Sequence, residues 1–270
     1  MKKCLLIFAA IICSVCTWGQ LTYDFITNNY PYIDVEEDEV VFPSEPLWYT
    51  GNIQKLADLL NKNLFSFYDL NDDYPTNLQK NEYKKSKEYL TQVLPSFNEV
   101  YQSTKAHKFY ILYNLRYNTP YDTAKKRFAF RIGVNDYLKT NIVGYIGLGN
   151  NLCISCPTNR LSVKKTSTGY GDYFLSQFLY TTTIPESIAL RIEKEMENPN
   201  CSICLMFIVK PYRVSKEARV INYGGYVGRQ KALNDYVLAK TVGLYIVDTN
   251  KEEIICDLSK MFSQTTSKRK

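Results

Sequence analysis

Phe109-Tyr110-Ile111-Leu112-Tyr113-Asn114-Leu115 is the stretch that decides the fold. Its aromatic and aliphatic side chains suit a pleated, half-buried surface. Asn118-Thr119-Pro120 then turns the chain, and Phe128-Ala129-Phe130-Arg131-Ile132 alternates as a return strand. Further strands are expected at Ile142–Leu148, Leu161–Lys165, Tyr173–Thr181, Ile203–Pro211, Ala218–Tyr223 and Val237–Asp248, with Ile254 and Ile255 ending the sheet.

Upstream of this stretch the period changes. Ile53, Leu56, Ala57, Leu59, Leu60 and Leu64 recur at three- and four-residue steps, which predicts a helix from about Asn52 to Leu64. Tyr89, Leu90, Val93, Phe97, Val100 and Tyr101 mark a second helix from Glu82 to about Tyr101. Pro95 breaks or kinks it, because proline lacks the N–H that bonds to residue i−4. A third helix runs from roughly Glu186 to Asn198 behind Pro185. Helices clustered ahead of runs of strands predict an α+β fold: a mainly antiparallel sheet with two N-terminal helices and one later helix packed on it.

Ahead of the helices, residues 20–49 read as an extended arm, since Tyr30-Pro31-Tyr32 and Pro43-Ser44-Glu45-Pro46 oppose regular helix. The acidic run Glu36-Glu37-Asp38-Glu39 reads as a solvated turn beside a short edge strand. Residues 50–262 form one expected α+β domain, and 263–270 a disordered basic tail ending Lys268-Arg269-Lys270.

Residues 1–19 have the order of a secretory signal: Lys2 and Lys3, an apolar run from Leu5 to Val15 too short to span a bilayer, then Thr17-Trp18-Gly19. Cleavage after Gly19 makes Gln20 the new N-terminus. Cys13-Ser14-Val15 ahead of Cys16 is a poor lipid-attachment box, which makes a lipid anchor, like an extracellular site, a lesser alternative, and no later segment has a span's worth of uninterrupted apolar residues. The expected location is the periplasm or cell envelope. The formal charge of +6 is mild and falls by two with the leader. The densest internal basic cluster, Lys84, Lys85 and Lys87, is interleaved with Glu82 and Glu88, so no nucleic-acid footprint is read.

Cys4, Cys13 and Cys16 leave with the leader. Cys153, Cys156, Cys201, Cys204 and Cys256 remain, in an oxidising setting that favours disulfides. Cys153-Ile154-Ser155-Cys156 and Cys201-Ser202-Ile203-Cys204 are two Cys-x-x-Cys motifs, and four such thiolates can hold tetrahedral zinc. Residues 157–200 separate them, far more than in a zinc ribbon. Thiol exchange is the other sharp reading, but it needs a thiolate activated at a helix N-terminus. The second motif opens a strand instead, and no clear helix follows the first. Structural disulfides or buried thiols are therefore preferred, with the pairing open.

No other motif assembles. Asp69-x-Asn71-x-Asp73 opens like a calcium loop, yet Tyr74 stands where glycine is needed and Lys80 where the bidentate glutamate is needed. His107 is the single histidine, and no Gly-x-Ser-x-Gly elbow exists, so nucleophilic catalysis has little to use. Glycosidase chemistry needs only two carboxylates, but Asp122, Asp136, Asp172, Asp235 and Asp248 all fall at turns or strand ends. Gly144-x-x-Gly147-x-Gly149 and Gly224-Gly225-x-x-Gly228 match neither a dinucleotide nor a phosphate loop, so no cofactor is expected. The 23 tyrosines are spread along the chain, which favours half-buried strands over one aromatic binding loop.

Tyr121-Asp122 followed by Phe128-x-Phe130, behind two helices and a β-rich segment, resembles a family of bacterial exported proteins classed as a domain of unknown function. The resemblance runs from about Ile53 to Asp248. It implies an exported bacterial setting and no activity. The expected function is a non-catalytic envelope domain that binds another protein or an envelope component. The rival readings are a carboxylate-based glycan hydrolase, a thiol oxidoreductase and a zinc-stabilised module.

Overall fold

The computed structural model describes residues 21–37, 39–41, 51–62, 64, 80–115, 121–135, 144–149, 151–167, 173–223 and 227–263. The leader, Asp38, the Asp69–Asp73 segment, Asp136, Asp172, Gly224-Gly225 and residues 264–270 lie outside them, as does the side chain of Asp235.

Residues 21–41 are not a plain arm. Helix α1 spans Tyr23–Asn29, with Thr22 Oγ1 accepting from Phe25 N at its start. Strands β1 (Tyr32–Asp34) and β2 (Glu39–Val41) follow as a hairpin, so Pro31 sits between elements instead of preventing them. After the short β3 (Gly51–Asn52) comes α2 (Ile53–Leu60), which buries Ile53, Leu56, Ala57, Asp58 and Leu59. The expected second helix is divided. A short α3 (Lys80–Tyr83) precedes a π-turn at Tyr89–Val93 and then α4 (Leu94–Ala106). The wide turn passes Leu94 N–H back to Tyr89 O, five residues away, just where Pro95 has no N–H to give.

The strands are β4 (Phe109–Asn114), β5 (Ala129–Asn135), β6 (Tyr145–Leu148), β7 (Leu152–Ser155), β8 (Leu161–Ser167) and β9 (Tyr173–Tyr180). Helix α5 (Glu186–Met196) precedes β10 (Ile203–Tyr223), β11 (Val227–Asp248) and β12 (Glu253–Asp257), and α6 (Lys260–Ser263) closes the described chain. Positive φ at Gly144 and Gly149 brackets β6, so these glycines serve the turns at its two ends.

One large sheet runs β3-β2-β1-β4-β10-β11-β7-β6, with β12 also on β11; β5-β9-β8 make a smaller sheet. The fold is α+β, but the large sheet is mixed, which corrects the expectation of a mainly antiparallel one. β1 lies parallel to β4, and β7 parallel to β11. Parallel neighbours need a crossover, and α2 through α4 supply it for the first pair. Nor does Phe128–Ile132 return on β4: β5 pairs with β9 in the smaller sheet.

Ile203-Cys204-Leu205-Met206-Phe207-Ile208-Val209 is buried throughout because both faces of the sheet are covered here. On one face Ile203, Leu205, Phe207 and Val209 join the main core with residues of α2, α4, α5 and α6. On the other, Cys204, Met206 and Ile208 pack under Ile26 of α1, edged by Tyr23, Tyr30 and Tyr110. The expected helices thus lie on the first face, while α1 lies on the second.

Beyond Val209 the surroundings change. β4 pairs with β10 from Cys204 to Val209, and β7 pairs with β11 from Val237 to Ala239. From Arg213 and from Leu238 outward, β10 continues to pair with β11, as far as Tyr223 and Val227. Among the described residues the outer part of this hairpin, 213–223 with 227–236, has no third strand. At ordinary strand rise it reaches about 35 Å. Pro211, expected to end a strand, sits at a register shift between Pro211 and Arg213, where its missing N–H is tolerated.

Candidate functional site

The level at which the hairpin leaves the sheet carries the most unusual side chains. Lys210 and Lys240 are direct cross-strand partners. Like charges placed opposite each other destabilise a sheet. Both are exposed, and neither ammonium has an ion-pair partner among the described residues. Lys108 precedes Phe109, the β4 partner of Val209, so it stands beside Lys210 one strand over. Its Nζ lies 5.7 Å from the ring centre of Tyr30, on the α1 side of the sheet. Strand alternation puts Lys210 on that side too, because Ile208 faces α1.

Aromatic groups continue the same face. Cys153, Tyr236 and Leu238 form a small buried cluster with Tyr145 against it. The Tyr145 and Tyr212 hydroxyls hydrogen-bond over the intervening β11 and β7. Burial first, and that hydrogen bond second, push the Tyr145 phenol up to about 12. Tyr212 is 45 % exposed and Val242 39 % exposed. The Arg213 guanidinium lies 5.7 Å from the Tyr212 ring centre. The result is a cationic row edged by half-exposed aromatic and aliphatic groups. Such a surface suits an anionic partner with apolar parts.

The sequence-predicted cysteines do not assemble. None of the five is in a disulfide; Cys153, Cys156, Cys201 and Cys204 are buried and Cys256 partly so. The expected disulfides are therefore absent from this structure. Within each motif the two cysteines belong to different core clusters: Cys156 and Cys201 face the main core, Cys153 and Cys204 the opposite side. A spacing of three along extended chain places side chains on opposite faces. The motifs are also far apart. Cys153 is level with Leu238 on β11 and Cys204 with Val247, roughly 30 Å along that strand. Four thiolates cannot share one zinc at that separation, and among the described residues no three His, Cys, Asp or Glu side chains converge on a metal position.

Burial pushes the Cys156 and Cys204 thiols up to about 12 and raises that of Cys256 as well. This is opposite to what an exchange catalyst requires. We expect a maleimide at neutral pH to label the native protein slowly at Cys256 and negligibly at the four buried positions, with all five labelled after denaturation. Mass spectrometry of the labelled protein reads this directly, and fast native labelling at Cys153 or Cys156 would contradict it.

The carboxylates that remain are each engaged in a turn. Asp122 accepts from Lys125 N and Lys125 Nζ, both at 3.0 Å, and those bonds hold its carboxyl below the usual range. Asp248 is fully buried at the far end of β11 and closes the β11–β12 turn. Among the described residues neither faces a second carboxylate in a cleft. A cleft of about 280 Å³ lies beside Tyr121, Lys126, Thr183 and Glu186, under the usual size of a small-molecule site. The Tyr121 hydroxyl there donates to Ile184 O, and Tyr121 N donates to Glu193 Oε1. His107 caps α4, with its Nδ1 2.7 Å from Ser103 O.

Comparison of the chain with protein-family models, with curated proteins and with solved structures finds no match. Among the described residues no helix is long and apolar enough to cross a membrane.

Proposed function

We propose that this chain is an exported, non-catalytic interaction protein of a bacterial envelope, and that it recognises an acidic partner at the base of its long hairpin. One observation carries the reading: Lys210 and Lys240 are opposed across β10 and β11, exposed and without a counter-charge among the described residues. A sheet gains nothing from that pairing unless something anionic meets it. Tyr212, Arg213 and Lys108 widen the surface and give a partner aromatic contact as well as charge. The leader at 1–19 and the resemblance carried by Tyr121-Asp122 and Phe128-x-Phe130 support export.

The test is Lys240→Glu. It turns a repulsive cross-strand pair into an attractive one, so stability rises by about 0.5 kcal/mol. Binding of an oligoglutamate peptide, followed by fluorescence anisotropy at low salt, should weaken at least tenfold. A variant that is more stable and still binds as before removes this surface as the site. Binding lost together with stability would mark Lys240 as merely structural.

A further inference from the structure

A second like-charge pair stands at the other end of the same sheet. Asp34 of β1 is the direct partner of Glu39 of β2. Glu36 and Glu37, in the turn between them, are exposed, as is Glu39. None of these three glutamates has a cationic partner among the described residues. The direction of the strands fixes where this turn lies. β1 runs parallel to β4, and β4 runs antiparallel to β10. The β1–β2 turn therefore lies where β10 begins, near Cys204, and the Lys210–Lys240 pair lies where the hairpin leaves. One sheet thus carries two destabilising charge pairs, of opposite sign, at opposite ends.

We infer that the acidic partner is a second copy of this chain. The Asp34–Glu39 pair and its turn in one molecule meet Lys210, Lys240 and Lys108 at the hairpin base of the next. This rests on the binding surface proposed above and names its occupant. Charge complementarity is the argument: Asp34 already accepts from Glu36 N and Glu37 N within its turn, so what is left to be met is the like-charge opposition of each pair, and the two pairs offset one another. The outer hairpin, which has no third strand among the described residues, gives the contact its depth, because a two-stranded ribbon is marginal alone and gains from being covered. The contact joins two different surfaces, so it is head-to-tail. Repetition gives a ring if the rotation closes and a filament if it does not.

Two variants decide the matter by sedimentation velocity of the purified protein. Glu39→Lys reverses the acidic end and Lys240→Glu the basic end. Each converts a repulsive cross-strand pair into an attractive one, so neither should unfold; thermal melts confirm this. The wild type should associate in about 20 mM salt and dissociate in about 0.5 M salt. Each variant alone should be monomeric, with association weakened at least tenfold. Mixed in equal amounts they should associate again, because Glu39→Lys keeps its basic end and Lys240→Glu its acidic end.

A wild type that is monomeric at low salt overturns the inference. So does a variant that associates as the wild type does, or a mixture that remains monomeric. If that monomeric wild type binds oligoglutamate, the acidic-partner reading stands and only the second copy is lost. If it binds anionic vesicles or nucleic acid through Lys240 instead, the partner is of another class and the inference falls. If it binds none of these, both readings fall together.

Discussion

Asp248→Ala should lower the unfolding free energy at neutral pH by about 3–5 kcal/mol, the cost of removing one partner from a buried charged network. Asp248 has no solvent exposure. Its Oδ1 accepts from Ser202 Oγ at 2.7 Å, Asn250 N at 3.1 Å and Lys251 N at 3.2 Å. Its Oδ2 lies 2.9 Å from Lys251 Nζ, which also reaches Glu195 Oε1 on α5 at 3.2 Å. Thr249 donates from N and from Oγ1 to Ser202 O, closing the circuit. Alanine leaves a buried hydroxyl and two backbone N–H groups without acceptors.

The pH dependence has a definite sign. Burial alone would raise the Asp248 pKa, but the hydrogen bonds from Ser202 and Lys251 outweigh it and hold the carboxyl below its ordinary value. The stabilisation is therefore fully present above the unfolded pKa of about 3.9 and is lost as pH falls through the lower folded value. Denaturant unfolding of wild type and variant at neutral pH and again near pH 3 should show the gap narrowing in acid. A gap that is constant or widens would assign the loss to packing instead.

The second large effect is in the core. Phe207 is fully buried near the start of β10, opposite Ile111 on β4 and Leu244 on β11. Neighbours on both sides and helices on its face leave little freedom to collapse into a cavity, so Phe207→Ala should cost about 4 kcal/mol. The guanidinium midpoint should fall with an unchanged slope. Leu90→Ala, at a site 52 % exposed, should change stability by less than about 0.5 kcal/mol. Equal losses at the two positions would mean that this core is not where the stability resides.

The elements whose signal is local were legible in the sequence. The apolar repeat of Ile53–Leu60 and the Pro185 start of α5 gave helices close to their observed bounds. The run Ile203–Val209 could be read as a strand, and its burial on both faces follows from having no polar alternation. What depends on pairing was not legible. Tyr32 meets Tyr110 in parallel across 78 positions of chain, and no pattern within either strand announces it. Cys153-Ile154-Ser155-Cys156 draws attention in the sequence for its cysteines, best read as structural disulfides or buried thiols, and not as extended chain, whereas Leu152–Ser155 is strand β7. A period of two should have warned that Cys153 and Cys156 face opposite ways.

The candidate site shows the same limit. In the sequence the lysines to notice were Lys84, Lys85 and Lys87, because they are adjacent. Lys108, Lys210 and Lys240 become neighbours only through the register of three strands. The tyrosines behave likewise: scattered in the chain, Tyr110, Tyr145, Tyr212, Tyr236 and Tyr245 come to share the face opposite the main core. Asp34 and Glu39 lie close together in sequence, but their meaning depends on which end of the sheet their turn occupies.

The placement of the cysteines has a wider bearing. Divided between the two sides of one sheet, the buried cysteines form no disulfide among the described residues. They act as small apolar fillers and serve this sheet by packing instead of by a covalent link.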